Sequence, residues 1–121
     1  MPKVIMVVED DPDIRDVIAT TLADHGYDVI AVANGREALD QLRAAPRRPA
    51  WILLDLAMPV MDGWEFRAAQ QLDPSLADVP VLVLSAQLDV HAAAERLAAA
   101  AWLRKPVDLR AMLRIVAQTA A

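Results

Sequence analysis

Apolar residues along the chain fall into two rhythms: short unbroken runs, and longer stretches with one apolar position every three or four residues. The clearest runs are Val4-Ile5-Met6-Val7-Val8, Trp51-Ile52-Leu53-Leu54 and Val81-Leu82-Val83-Leu84. Each is bounded by turn or polar residues, the pattern of strands buried on both faces. The run at 27–32 has less apolar content and is predicted to lie nearer an edge. Ala101-Trp102-Leu103-Arg104 is a short fifth strand.

Helical patterns fill the intervals. Asp11-Pro12 reads as an N-cap followed by proline at the first helical position. Ile14, Val17, Ile18, Thr21 and Leu22 then share one face, and Gly26 closes the helix after His25. Asn34-Gly35-Arg36-Glu37 resembles a capping box; the helix behind it carries Ala38, Leu42 and Ala45 inward and breaks at Pro46. A third helix starts near Asp62, runs through Phe66 and Ala69 to about Leu72, and ends at Asp73-Pro74. The alanine-rich segment 89–100 is helical by propensity, with Val90, Ala94, Leu97 and Ala98 on one face. Leu109, Met112, Leu113, Val116 and Ala117 mark a last helix.

Strand and helix thus alternate five times with short connections. That predicts an α/β domain: a parallel sheet, helices on both faces and right-handed crossovers. At 121 residues the chain has room for one such domain, spanning 1–121. Hydrophobic residues make up 56% of it, which excludes disorder. A net charge of −5 argues against a nucleic-acid surface. Arg47-Arg48, flanked by prolines, reads as a solvated loop. There is no cysteine, so disulfides, thiolate nucleophiles and Cys-based zinc sites are excluded. The five apolar residues before Glu9 are too few for a signal-peptide core, and no run approaches membrane-spanning length. A soluble cytoplasmic domain is predicted, without membrane or direct nucleic-acid partners.

Polar groups terminate four of the five strands: Glu9-Asp10, Asp55, Ser85 and Lys105. At the carboxyl edge of an open α/β sheet, where ligands bind, they would converge on one crevice. Three carboxylates packed together repel unless a cation joins them. Oxygen donors without a nearby His or Cys favour a hard divalent ion, Mg²⁺. Trp51 is expected in the core, Trp64 at a rim or partner surface, and Met58 and Met61 in loop packing. His25 and His91 are expected at the surface.

Four motifs, each behind a strand, carry a resemblance that covers nearly the whole chain. They are Val7-Val8-Glu9-Asp10-Asp11-Pro12, Asp55-Leu56-Ala57-Met58-Pro59-Val60-Met61-Asp62-Gly63, Leu84-Ser85-Ala86 and Leu103-Arg104-Lys105-Pro106. Together they resemble the receiver domain of two-component response regulators, similar to stand-alone chemotaxis-type regulators. The resemblance implies a flavodoxin-like, doubly wound three-layer sandwich with strand order 2-1-3-4-5 and five helices.

It also implies roles. Asp55 would be the phosphoacceptor for a sensor histidine kinase or phosphotransfer protein. Asp10, Asp55 and the backbone carbonyl of Ala57 would ligate Mg²⁺, with Glu9 acting through a water. Ser85 and Lys105 would contact the phosphoryl group. Trp102 would switch from exposed to buried, reshaping the helix 4, strand 5, helix 5 face for a downstream target. The Lys105-Pro106 bond is often cis in the family, as proline permits, and Ala57 and Gln87 would lie where the family tunes the phosphate's lifetime.

Departures from the family pattern lie in the loops. Val60 stands where glycine is frequent, the stretch between Ser85 and Lys105 is about two residues shorter than in many relatives, and alanines replace the Gly-Ala before strand five. These bear on the signalling geometry around helix four. Two other readings are open: a receiver-like interaction module that takes no phosphate, and a Mg-dependent phosphatase with an Asp nucleophile. The second is disfavoured, because Ala57 stands where such enzymes carry a second Asp. A flavin site lacks its phosphate-cradling loop.

Overall fold

The computed structural model describes residues 2–118. Five strands and five helices alternate: β1 (Val4–Val8), α1 (Pro12–Asp24), β2 (Asp28–Val32), α2 (Gly35–Ala44), β3 (Trp51–Asp55), α3 (Gly63–Leu72), β4 (Val81–Ser85), α4 (Val90–Arg96), β5 (Ala101–Arg104) and α5 (Leu109–Ala117). All pairings are parallel, and the strands lie in the order β2-β1-β3-β4-β5. The doubly wound α/β class and the strand order are those expected, with β2 and β5 at the edges.

The three apolar runs explain the layers. β1, β3 and β4 are buried along their whole length. Successive side chains point to opposite faces of a strand. Met6, Val8, Ile52, Leu54, Val81 and Val83 therefore join one core with Leu39 of α2, Phe66 of α3 and Val90 of α4. Ile5, Val7, Leu53, Leu82 and Leu84 join a second core with Ile18 and Leu22 of α1 and Met112 of α5. Burying one such side chain contributes roughly 1.5–3 kcal/mol, so both faces of the central strands hold the sheet together.

Helix starts follow from capping side chains. Asp11 accepts from the backbone N–H of Asp13 at 2.9 Å and of Ile14 at 3.2 Å, with Pro12 at the first turn. Gly26 takes φ 89°, a left-handed conformation that closes α1 without a Cβ clash. Asp62 and Glu65 form a complete capping box at α3. At α2 the box is half-formed. Asn34 caps the Glu37 N–H at 2.9 Å, but the Glu37 carboxylate accepts from the Asn34 side-chain amide instead of the backbone.

Helix faces differ from expectation where tertiary packing overrides the pattern. Val17 is 53% exposed, because the apolar stripe of α1 is wider than its neighbours cover. Ala117 is exposed too. On α2 it is Leu39 that turns inward beside Ala38 and Leu42, while Ala45 lies past the helix end. The largest departure is α4, which stops at Arg96 rather than near Ala100.

Arg67 of α3 accounts for that stop. Its guanidinium is buried and donates to the carbonyls of Leu97 and Ala98, each at 2.9 Å, and to Gln70 Oε1 at 2.7 Å. Gln70 donates onward to the carbonyls of Leu76 and Val79 at 3.0 and 3.1 Å. Carbonyls left open at a helix end need such donors, and a cation there suits the helix dipole. Ala98, with φ 53°, turns the chain out of the helix, is exposed and does not extend the α4 face. Burial pushes the Arg67 pKa down, yet the side chain has three hydrogen-bond acceptors to hold it.

Val60 is the other non-glycine residue with positive φ, at 70°. Met61 N donates to Pro59 O at 2.8 Å, closing a three-residue turn around it. A β-branched residue with positive φ is strained, at a cost on the order of 1–3 kcal/mol. Its side chain is 80% exposed and offsets little by packing. Val60→Gly is therefore expected to stabilise the protein by about 1 kcal/mol, after the larger unfolded-state entropy of glycine is subtracted. Urea unfolding checks this, and a destabilised variant would show that the turn is unstrained.

Candidate functional site

Strand register brings the acids together. Val8 pairs with Leu54, so Glu9 and Asp55 leave the sheet side by side. Asp55 pairs with Leu84, and Ser85 with Arg104, so Ser85 and Lys105 follow at the same edge. Carboxylate oxygens of Glu9, Asp10 and Asp55 all lie within 4.8 Å of one another. Glu9 and Asp55 are buried, and Asp10 is exposed at the mouth.

Lys105 reaches into this cluster. Its Nζ lies 2.6 Å from Glu9 Oε1 and 3.4 Å from Asp55 Oδ1. The closer contact is an ion pair set off the direction of a hydrogen bond, so Glu9 Oε1 is buried without a directed partner. Glu9 Oε2 accepts from Asp11 N at 3.2 Å. The Ala57 N–H points to Asp55 Oδ1 at 3.4 Å, a long contact. Ser85 Oγ accepts from the Gln87 N–H at 3.0 Å.

Electrostatics follow from this crowding. Burial first, and then the neighbouring Glu9 charge, raise the Asp55 pKa to about 7; Lys105 works in the other direction. Burial opposes the Lys105 charge, but Glu9 and Asp55 outweigh it and hold the ammonium above its ordinary pKa. One ammonium thus faces three carboxylates. The donor set is all oxygen and includes one buried oxygen that lacks a directed partner. That fits a hard divalent cation and suits Mg²⁺.

The comparisons with known proteins agree with this picture. A family model described as the response regulator receiver domain matches residues 5–117. The chain belongs to that family. Response regulator MprA of Mycolicibacterium vanbaalenii is 39% identical over 115 residues, covering 93% of this chain and 48% of that protein. This receiver therefore spans about half the length of MprA and of several other curated relatives it matches. Among solved structures, chemotaxis protein CheY4 of Vibrio cholerae superposes with a TM-score of 0.88 at 30% identity, over 98% of this chain and 99% of that one. The phosphorylated cyanobacterial phytochrome response regulator RcpA gives 0.80 at 34% identity, over 96% and 89%. Family membership makes the receiver a signalling domain that takes part in its own phosphoryl chemistry, not an independent enzyme.

Of the remaining expected residues, Ala57, Gln87 and Pro106 lie within two residues of Asp55, Ser85 and Lys105 along the chain. The Lys105-Pro106 peptide bond is cis. Ala57 and Gln87 are exposed beside Asp55 and Ser85, and Trp102 is 41% exposed on β5. Trp51 is core, its indole N–H donating to Gln118 O at 3.2 Å. Trp64 is half-buried, with the Arg96 guanidinium 4.9 Å from its ring centroid. Met58 and Met61 pack against the first core. His25 and His91 are exposed. No helix among the described residues is long and apolar enough to cross a membrane.

Two residues of this receiver escaped the sequence reading. Arg15 donates from Nη1 to the Glu9 carbonyl at 2.9 Å and so braces the first acid's backbone. Its signal was a basic residue early in a helix, where the dipole favours acids. Arg67 gave a similar signal: a charge on α3 between the buried Phe66 and Gln70.

Proposed function

We propose that residues 1–121 form one receiver domain that accepts a phosphoryl group on Asp55 from a sensor histidine kinase or phosphotransfer protein in the cytoplasm. An Asp55 carboxylate oxygen attacks phosphorus, the bond from phosphorus to the donor imidazole nitrogen breaks, and that nitrogen keeps the electron pair. A carboxylate is a weak nucleophile, so positioning and charge neutralisation carry the rate. Asp10, Asp55 and the Ala57 carbonyl would hold Mg²⁺, with Glu9 acting through a water. Bound there, the metal supplies positive charge against the phosphoryl oxygens. Lys105 supplies the second positive charge. Ser85 donates its hydroxyl to a phosphoryl oxygen, and Ala57 and Gln87 border the path of hydrolytic water.

The observation that carries this reading is the Lys105 ammonium set between Glu9 and Asp55 at the mouth of three strands. Readout would follow from Ser85. Drawn toward the phosphate, it leaves space behind β4 that Trp102 can enter. The α4-β5-α5 face then changes shape for a downstream target or output domain.

Acetyl phosphate with Mg²⁺ tests the chemistry. The wild-type protein is expected to gain the mass of one phosphoryl group, and to gain none with a chelator present. Asp55→Asn should gain none under either condition. Labelling of the variant at the wild-type level would refute Asp55 as the acceptor.

A further inference from the structure

Trp102 is a large apolar side chain left 41% exposed on an edge strand. One aromatic neighbour covers it: the His91 ring of α4, with centroids 5.4 Å apart and planes at 29°. That is an offset stack of the favourable kind. His91 is itself restrained, because Nε2 lies 3.0 Å from Glu95 Oε1 one turn along the same helix. Neither His91 nor Glu95 belongs to the acid cluster, to the Ser85 and Lys105 pair, or to either core.

We propose that His91, steadied by Glu95, is a latch that holds Trp102 in its outward position and so sets the resting bias of the receiver. The proposal rests on the switching role given to Trp102 above. For Trp102 to move inward it must leave the His91 ring, so whatever the stack contributes is subtracted from the affinity for anything that favours the inward state. The exposed Glu95 pair matters through geometry: it limits the rotamers from which His91 meets the indole. The latch is a feature of this chain's α4, where a histidine stands one turn before a glutamate and opposite a tryptophan.

The test titrates beryllium fluoride with Mg²⁺, as a phosphoryl mimic, into wild type, His91→Ala and Glu95→Gln. Each carries Phe in place of Trp51 and Trp64, and fluorotryptophan at position 102. Fluorine NMR reads the outward and inward populations, and the titration reads affinity. His91→Ala is expected to bind the mimic about two- to tenfold more tightly, the range an aromatic pair of this kind implies. It should also show more of the inward resonance before any mimic is added. Glu95→Gln should move both readouts the same way by less. Equal affinities with identical resting spectra, in proteins that all bind the mimic, overturn the latch and leave the receiver reading intact. Failure of the wild-type protein itself to bind the mimic overturns the receiver reading, and the latch's signalling role with it. His91 and Glu95 are exposed, and thermal unfolding verifies that the variants and their shared background, which replaces the buried Trp51, fold.

Discussion

Gly63→Ala is expected to cost about 3 kcal/mol or more and to weaken the acid cluster together with the fold. The reason is distance. A Cβ at Gly63 would stand 2.5 Å from the Asp55 carbonyl oxygen and 2.8 Å from the Leu56 Cα. These are backbone atoms and cannot swing away as a side chain would. The Gly63 N–H also donates to Leu56 O at 3.0 Å, so α3 begins in direct contact with the residues that follow β3. Relief requires either α3 or the end of β3 to move, and Asp55 sits on the latter. Urea unfolding should show the lost stability, and calorimetry should show Mg²⁺ affinity reduced about tenfold or more. A variant with wild-type stability and wild-type Mg²⁺ affinity would mean that α3 can slide without disturbing Asp55.

Without divalent metal, the protein should become more stable as pH falls from 8 to 5, by about 2 kcal/mol. Asp55 has a folded pKa of about 7, above its ordinary value of 3.8. A carboxyl raised in this way takes up a proton on folding within that window. Its stabilising contribution is complete below the ordinary value and is lost as pH rises through 7. Lys105 is raised from an already high value and titrates outside the window. Asp55→Asn should flatten the profile and stabilise the metal-free protein at pH 8. Mg²⁺ should reverse the trend, since it binds the ionised cluster: at about 100 times Kd it would add roughly 2.7 kcal/mol at pH 8 and far less at pH 5. Thermal unfolding across pH, with and without Mg²⁺, reads all of this. A wild-type slope equal to that of Asp55→Asn would show that Asp55 is ionised at little cost.

Most of the fold could be read from the chain because its strands are unambiguous. Val4–Val8, Trp51–Asp55 and Val81–Ser85 are apolar runs that only a doubly covered sheet accommodates. The candidate acid cluster was legible for the same reason, since a polar residue closes or directly follows each run. What escaped depends on contacts distant in sequence. Alanine propensity carries the fourth helix to residue 100, whereas a guanidinium from α3 ends it at Arg96. Nothing local to Lys105 shows that it lies closer to Glu9 than to Asp55. The Val60 turn lies between: the departure from glycine was visible, while its positive φ required the backbone.

The grip of Arg67 on Leu97 and Ala98 bears on how the domain can move. Pulling those carbonyls away would strand a buried cation that has no carboxylate within ion-pair reach among the described residues. The tail of α4 is therefore held by a buried guanidinium, whereas the chain entering its opposite end is held by an exposed one, Arg104, whose Nη2 donates to the Leu88 carbonyl at 2.6 Å. Motion of this helix should be least toward Arg96 and greater at the end beside Ser85, where water competes for the tether.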